Sequence, residues 1–360
     1  MTIVLNKPVA PNLDKLTKYL ETVNERGWYT NFGPLHQELT TRLEQYLGVK
    51  NLLLISNGTL AIQVACKVLK VHKAVTTPFS FAATSSSLLW QGIDLEYADI
   101  NRSSLNLNPE NARKVIENKK IDAIVTTHVY GNPCEVEMFE NISKAFNVKV
   151  IYDAAHAFGV NCNGQSVLNY GDASTLSFHA TKLFHTVEGG AIIFKKHEDY
   201  EAAKRLINFG IQDDGSLGEP GINAKLNEYQ CAVGLTILDE IEKIVSLRSQ
   251  MFSGYVERLK DNAIVPKWHQ GATFNGAYMP VVLRSKILKE KVKKDLLANN
   301  IQCRDYFSPS LNKVYTNNVE MPTSEDISER VLCLPLHYYM TTDDVNKVCN
   351  VVIQSIKGHK

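Results

Sequence analysis

Lys182 is the side chain whose surroundings in this sequence most favour covalent chemistry. It follows an apolar run that ends at Ser177, and it stands among aromatic and small residues without a neighbouring cation. A lysine in a partly apolar pocket loses its proton more easily than a solvated one, and a neutral amine attacks carbonyl groups. Lys182 is therefore a candidate Schiff-base residue. For the stretch alone, an exposed lysine at the start of a loop is the commoner case.

Two further stretches support the reactive lysine. Asp153 ends a β-branched run that begins at Val148. Ligands of open α/β sheets bind at the carboxyl ends of strands, where this aspartate would lie. Another apolar run leads into a turn with Gly58 and Thr59 that opens a helical pattern, and such a turn offers N–H groups and a hydroxyl to a phosphate. Together the three features indicate one cofactor, pyridoxal 5'-phosphate.

Asp153 has a specific task in this interpretation. Pyridoxal phosphate withdraws electrons only while its pyridine nitrogen is protonated, and a carboxylate beside that nitrogen raises the nitrogen's pKa. A zinc site is the alternative use of the polar residues His128, Asp153, His156 and His179. Their spacing matches no zinc motif, so we expect no metal.

The elements around these residues predict two domains. Apolar strands alternate with helical segments, which indicates a mainly parallel sheet covered on both faces. No G-x-G-x-x-G follows the first strand, so the nicotinamide-binding version of such a fold lacks its fingerprint. A helix over about 228–259 would lead from a large α/β domain, 1–245, into a smaller α+β domain, 246–360. Other predicted helices cover 14–26, 34–47, 60–69, 109–118, 135–146, 286–297 and 342–356, with strands near 52–55, 74–77, 95–99, 123–127, 148–152, 191–194 and 278–283.

The composition excludes several classes of protein. The net charge of +1 over 360 residues argues against a nucleic-acid-binding protein, whose affinity would depend on clustered positive charge. The seven cysteines occur singly, which is typical of reduced thiols in a reducing compartment. The apolar run at the start is too short for a signal peptide, and no stretch approaches the roughly 20 apolar residues that span a bilayer. We expect a cytoplasmic protein without membrane or nucleic-acid partners.

Six motifs in one order resemble those of a known family. They are Ser-Asn-Gly-Thr at 56–59, Pro-Phe-Ser-Phe-Ala-Ala-Thr at 78–84, Thr-His-Val-Tyr-Gly-Asn-Pro at 127–133, Asp-Ala-Ala-His at 153–156, the lysine stretch at 177–190 and Gly-Ile-Asn-Ala-Lys at 221–225. In this order they resemble the sugar-nucleotide aminotransferases of the DegT/DnrJ/EryC1/StrS family, although each alone would be weak. The resemblance implies the type I fold of pyridoxal phosphate-dependent transferases, with a large domain built on a mainly parallel sheet of the seven-stranded type and a smaller α+β domain.

The resemblance also implies roles for individual residues. Lys182 and Asp153 would be catalytic, and the cofactor-binding set would be Gly58, Thr59, Phe81, Asp153, His156, Ser177, Lys182 and Asn223. Within that set Phe81 would stack on the pyridine ring and Ser177 would bind the phosphate. The alternative for Phe81 is ordinary core packing. Some relatives have histidine at the lysine position and are dehydratases, so Lys182 favours transamination.

Asn223 would reach across a homodimer interface to the partner's cofactor phosphate, so that active sites are shared. The alternative is that Asn223 caps the following helix. The resemblance further implies L-glutamate as amino donor and a keto-sugar nucleotide as acceptor.

By likeness to enzymes that make 4-amino-4,6-dideoxy sugars, we expect dTDP-4-keto-6-deoxy-D-glucose as the acceptor, with a product used in lipopolysaccharide O-antigen biosynthesis. Amination at C3 is the first alternative. A non-catalytic sensor protein of the same fold is the second, but such a protein would lack the lysine that this sequence retains.

Overall fold

A computed structural model describes residues 2–315 and 319–358 of the chain. The strands are β1 Leu52–Ile55, β2 Lys73–Thr76, β3 Asp94–Tyr97, β4 Ala123–Thr127, β5 Lys149–Asp153, β6 Asn161–Cys162, β7 Gln165–Ser166, β8 Ala173–Ser177, β9 Gly190–Phe194, β10 Met279–Val282 and β11 Val331–Leu334. The helices are α1 Leu13–Arg26, α2 Pro34–Leu47, α3 Gly58–Val68, α4 Ala82–Trp90, α5 Pro109–Asn118, α6 Val136–Phe146, α7 His197–Leu206, α8 Glu228–Leu238, α9 Ile241–Leu259, α10 Lys286–Ala298, α11 Asn312–Tyr315, α12 Pro322–Arg330 and α13 Thr342–Lys357. Two short 3-10 helices cover Val129–Gly131 and Val167–Asn169.

Seven strands form one sheet in the order β1-β9-β8-β5-β4-β2-β3. The strands from β8 to β3 pair in parallel, whereas β9 pairs antiparallel with both β8 and β1. The expected mainly parallel, seven-stranded α/β architecture is confirmed. Because β5 lies in the middle of the sheet, its last residue, Asp153, is at the centre of the carboxyl edge.

Both faces of the sheet are covered by helices. Leu52 and Leu54 join a core with residues of α1, α2, α5, α6 and α8, whereas Leu53 and Ile55 join a core with α3 and α7. Side chains of a strand alternate between its two faces, so this segregation buries both sides of β1. The continuous apolar run at 52–55 is the sequence signature of that double burial.

A separate core is built by the later elements. It combines α10 and α13 with β10, β11 and the second half of α9. Ile3 packs into the same core, and its N–H donates to the Asn300 carbonyl at 2.9 Å. The division at residues 245 and 246 stays a prediction, and its outer limits, residues 1 and 360, lie outside the described residues. In the part of the chain that the structure describes, no helix is long and apolar enough to cross a bilayer.

The single helix predicted over 228–259 is wrong. The structure has two helices there, α8 and α9, separated by Asp239 and Glu240. Neither residue is a helix breaker, and the apolar spacing continues through the turn, so the sequence does not show the interruption. The turn is held by tertiary contacts, since the Asp239 carboxylate binds the side chains of Lys15 at 2.8 Å and Arg42 at 2.7 Å.

Candidate active site

One cleft at the carboxyl edge of the sheet collects most of the predicted site residues. Its volume is about 380 Å³. Asn223 is an exposed residue that is not part of its lining. The predicted residues that do line it are Gly58, Thr59, Phe81, Asp153, His156, Ser177 and Lys182. They lie at or just beyond the carboxyl ends of four strands, β1, β2, β5 and β8, which is why the sheet brings them together.

The turn predicted to bind phosphate lies where α3 begins. The side-chain oxygen of Asn57 accepts the N–H of Leu60 at 2.8 Å and caps the helix. Gly58 and Thr59 occupy the first turn, where backbone N–H groups have no helical acceptor. A Cβ at residue 58 would lie 2.8 Å from the Cβ of Ser177, so glycine is what allows the helix to start beside the end of β8.

Gly190 makes a second close approach at this edge. A Cβ there would lie 2.7 Å from the Leu176 carbonyl oxygen and 2.8 Å from the carbonyl carbon of Asn57. The main chain of β9 therefore lies in close contact with the turn at the start of α3, which glycine permits.

The Asp153 carboxyl group is buried and held by two hydrogen bonds. Its Oδ2 accepts the hydroxyl of Thr84 at 2.6 Å, and its Oδ1 accepts the N–H of Ala155 at 3.1 Å. Burial raises the pKa of Asp153, while these two hydrogen bonds and the charge of Lys182 act against that rise. Ser80 and Thr84 share a hydroxyl contact of 2.8 Å, so Thr84 is itself fixed.

Lys182 lies in the segment between β8 and β9 and is partly buried. Its Nζ lies 5.9 Å from the centre of the Tyr278 ring. Burial lowers the pKa of the Lys182 amine, and the charge of Asp153 only partly offsets this effect. At neutral pH a larger fraction of such an amine is in the neutral, nucleophilic form than for a solvated lysine, and its burial does not fit the alternative of an exposed loop lysine.

His156 is held in one tautomer. Its Nδ1 accepts the N–H of Tyr130 at 3.2 Å. Burial lowers the pKa of His156 well below its usual range, and the charge of Lys182 adds to this effect. A neutral ring whose Nδ1 is an acceptor carries its proton on Nε2, so we infer that Nε2 is a hydrogen-bond donor to a group in the cleft.

Phe81 precedes α4 and leaves its ring free. The side chain is 55% exposed and lines the cleft, so the core-packing alternative is wrong. A ring in this position can stack on a flat heterocycle.

Asn223 does not cap a helix. The cap of α8 is Asn227, whose side chain accepts the N–H of Gln230 at 3.0 Å. Asn223 instead lies in an exposed segment beside the exposed apolar side chains of Phe209 and Ile222.

Several cleft residues were not predicted from the sequence. Thr84 stands in one of the quoted motifs, but its bond to Asp153 joins residues 69 positions apart. Tyr278, Arg304 and Tyr306 come from the later part of the chain and form the wall opposite the sheet. Burial raises the pKa of Tyr278, so its hydroxyl stays protonated.

The four residues considered for zinc do not form a metal site. Across residues 2–315 and 319–358, no group of three or more His, Cys, Asp or Glu side chains is placed to hold a metal ion. His128 stacks on Tyr152 with a centroid distance of 4.5 Å, and burial lowers its pKa to about 3.

These residues fit the cofactor that the sequence indicated. A crowded glycine turn with a serine hydroxyl can hold a phosphate, because N–H groups at a helix start attract anions. A buried carboxylate can hold a protonated ring nitrogen, and a buried amine can bond to an aldehyde. The cleft therefore has the chemistry of a pyridoxal phosphate enzyme.

Known proteins are similar to this chain in sequence and in fold. The DegT/DnrJ/EryC1/StrS aminotransferase family matches residues 13–353. A protein of Shigella dysenteriae named dTDP-4-amino-4,6-dideoxy-D-glucose transaminase is 35% identical over 362 residues, covering 97% of this chain and 98% of its own. An Escherichia coli protein of the same name is 33% identical over 365 residues, covering 98% of each. The crystal structure of DesI in the presence of its TDP-sugar product superposes with a TM-score of 0.93 at 26% identity, covering 99% of this chain and 94% of that one.

Replacing Thr84 with valine should move the acid limb of activity to higher pH. The hydroxyl of Thr84 stabilises ionised Asp153, so its loss raises the carboxyl pKa further, and activity disappears earlier as the pH falls. A lost hydrogen bond to a charged group corresponds to a shift of about 1 pH unit. The measurement is the pH profile of kcat/KM.

Thr236→Val is the matched control, because the Thr236 hydroxyl is buried and bonds the Val233 carbonyl at 2.7 Å away from the cleft. It should leave the acid limb in place. An unshifted limb in Thr84→Val would contradict the role of Thr84.

Proposed function

The chain belongs to the DegT/DnrJ/EryC1/StrS aminotransferase family, and from this membership we propose that it transfers an amino group from L-glutamate to dTDP-4-keto-6-deoxy-D-glucose. The protein is a pyridoxal phosphate-dependent sugar aminotransferase. The main structural support for the proposal is that Lys182 and Asp153 line the same cleft as the turn with Gly58 and Thr59. The names of the two relatives, which align over nearly their whole length, support the 4-keto acceptor.

The residues of the cleft would hold the cofactor at several points. The first turn of α3 and the Ser177 hydroxyl would bind the phosphate, and Asp153 would pair with the ring nitrogen. Phe81 would pack on one face of the ring. When bound, pyridoxal phosphate supplies an electron-withdrawing ring that stabilises negative charge on the carbon that exchanges its proton.

Lys182 would then work as the acid and base of both half-reactions. Burial lowers its pKa, so its Nζ could accept the proton from the α-carbon of L-glutamate. The amino nitrogen would remain in the site with the cofactor, and one water molecule would supply the keto oxygen of the departing 2-oxoglutarate. In the second half-reaction Nζ would deliver a proton to C4 of the sugar. The walls formed by Tyr278 and Tyr306 would keep bulk water from the reacting atoms.

The acceptor is tested with purified protein, L-glutamate and two dTDP sugars. We expect amination of the 4-keto-6-deoxy sugar, detected by mass spectrometry and by stoichiometric 2-oxoglutarate. Reactions without L-glutamate serve as the control. Faster turnover of the 3-keto isomer would replace the proposed acceptor with its C3 alternative, and turnover of neither would reject both.

Replacing Lys182 with alanine should abolish transamination, because both the attachment point of the cofactor and the base are lost. Acid–base catalysis alone contributes about 100-fold or more, so turnover should fall at least that far. The visible absorbance of the attached cofactor should change as well. Lys120→Ala removes an exposed lysine outside the cleft and is the control. Turnover like that of the wild type in Lys182→Ala would reject the mechanism.

We further propose a homodimer with shared active sites. In its own chain Asn223 is exposed and does not line the cleft. Three exposed apolar side chains precede it in the sequence, namely Phe209 at 51%, Leu217 at 78% and Ile222 at 43% exposure. A surface of this kind favours contact with a second copy, whose cleft Asn223 would complete.

Mixing two inactive variants tests the shared site. A mixed dimer of Lys182→Ala and Asn223→Ala chains contains one intact site if Asn223 acts on the partner, and none if it acts on its own chain. After random exchange, about a quarter of wild-type activity should return, because half of the dimers are mixed and each has one of two sites. No recovery, with mixed dimers verified by mass, would reject the sharing.

A further inference from the structure

A segment near the start of the chain, residues 3–10, connects the core built around α10 and α13 with the edge of the active-site cleft. We call it the N-terminal strap. Its first half is bound to that core, where the Ile3 N–H donates to the Asn300 carbonyl at 2.9 Å and the Ile3 carbonyl accepts the N–H of Gln302 at 2.9 Å. The Leu5 N–H donates to the side-chain oxygen of Gln302 at 3.1 Å. The strap therefore starts from a fixed position.

The second half of the strap contacts the loop that carries the reactive lysine, residues 178–189. The side-chain amide of Asn6 donates to the Thr181 carbonyl at 2.6 Å. Three residues later, the Val9 carbonyl lies 2.8 Å from the Nε2 of His185. The strap thus holds this loop at two points, one of which is the residue directly before the lysine.

The peptide group between Thr181 and Lys182 is held at both of its polar ends. Its carbonyl accepts the Asn6 amide, and its N–H donates to the His179 carbonyl at 2.8 Å. A peptide group is planar, so two hydrogen bonds in different directions set the orientation of the whole plane. This plane ends at the Cα of Lys182 and therefore limits the direction in which the lysine side chain leaves the main chain.

The tip of the loop is the part that needs a contact from outside. Its later part is fixed by the core, because Leu183 is buried and the Thr186 N–H donates to the Phe178 carbonyl at 3.0 Å. His179 and Thr181 are exposed. A carbonyl at such a tip can rotate towards water unless a donor from another segment holds it, and Asn6 provides that donor.

We propose that Asn6 is a positioning residue for Lys182, an inference that rests on the proposed function. Through the Thr181 carbonyl, Asn6 holds the lysine so that its Nζ meets the aldehyde of pyridoxal phosphate. Nζ bonds to the aldehyde carbon, and the aldehyde oxygen leaves as water with the two protons of the neutral amine. A lysine already held in place loses little freedom in this step. Asn6 does not line the cleft and acts without touching the cofactor.

Binding of two probes to the full-length, cofactor-free protein tests the assignment. Calorimetric titration gives the Kd of pyridoxal phosphate, which has the aldehyde, and of 4'-deoxypyridoxine phosphate, which has a methyl group instead. Both probes carry the same phosphate and ring nitrogen, so the ratio of the two constants isolates the bond to Lys182. The wild type should bind the aldehyde more tightly. Asn6→Leu, which keeps the shape without a donor, should weaken the aldehyde by about 5- to 10-fold and leave the deoxy analogue unchanged.

Two variants separate this contact from general loosening of the strap. Tyr339→Phe removes the hydroxyl that accepts the Ala10 N–H at 3.0 Å and leaves Asn6 in place, so the wild-type preference for the aldehyde should remain. Asn6→Gln retains an amide donor on a longer arm and should restore part of the preference. Hydrogen–deuterium exchange should be faster over 179–184 in Asn6→Leu than in Tyr339→Phe. If Asn6→Leu does not fold, Asn6→Asp replaces it, since it also lacks the donor.

Three results would overturn the assignment. They are equal weakening of both probes in Asn6→Leu, a full preference for the aldehyde in that variant, or a loss in Tyr339→Phe as large as that in Asn6→Leu. Failure of the proposed function looks different. A wild type without any preference for the aldehyde probe would reject Lys182 as the attachment point, and this inference with it, whatever the variants show.

Discussion

The site depends on a carboxylate and an amine that are both withdrawn from water at the same edge of the sheet. Burial favours the neutral form of Asp153 and also of Lys182, and each charge only partly restores the other. Such a pair is unfavourable for folding, because desolvation of ions costs more than a single contact returns. The hydrogen bond from Thr84 offsets part of this cost by stabilising the Asp153 carboxylate. His156 is neutral and so adds no further positive charge beside Lys182. A ligand with a protonated ring nitrogen and an aldehyde would give both groups a partner.

The residues that could be predicted from the sequence are those whose role follows from local position. Gly58, Asp153, Ser177 and Lys182 each lie at or just beyond a strand end or at a helix start, so their type and place suffice to suggest chemistry. The alternation of strands and helices likewise predicts the sheet and its two covered faces. Order and pairing of the strands required the structure, because β9 inserts antiparallel between β1 and β8.

What the sequence left open depends on contacts between distant residues. Nothing in the sequence near Thr84, which lies in α4, shows that its hydroxyl meets the carboxylate of Asp153 at the end of β5. Arg304 lines the cleft, whereas its neighbour Asp305 contacts Lys293 of α10, and their adjacency in sequence shows neither placement. The break between α8 and α9 has the same origin, since Lys15 and Arg42 hold the Asp239 turn from two other helices.

The helix α9 joins the two main cores without a flexible point. Ile244 packs in the first core and Met251 in the second, and no glycine or proline lies between them. Arg248, in the same stretch, donates to the carbonyls of Gly276 and Ala277, which lead into Tyr278. Sharp helix bends need such a breaker or an inserted group, so α9 itself provides no hinge between the two cores. Any movement of one core relative to the other would therefore have to arise outside α9, in the segments that flank it.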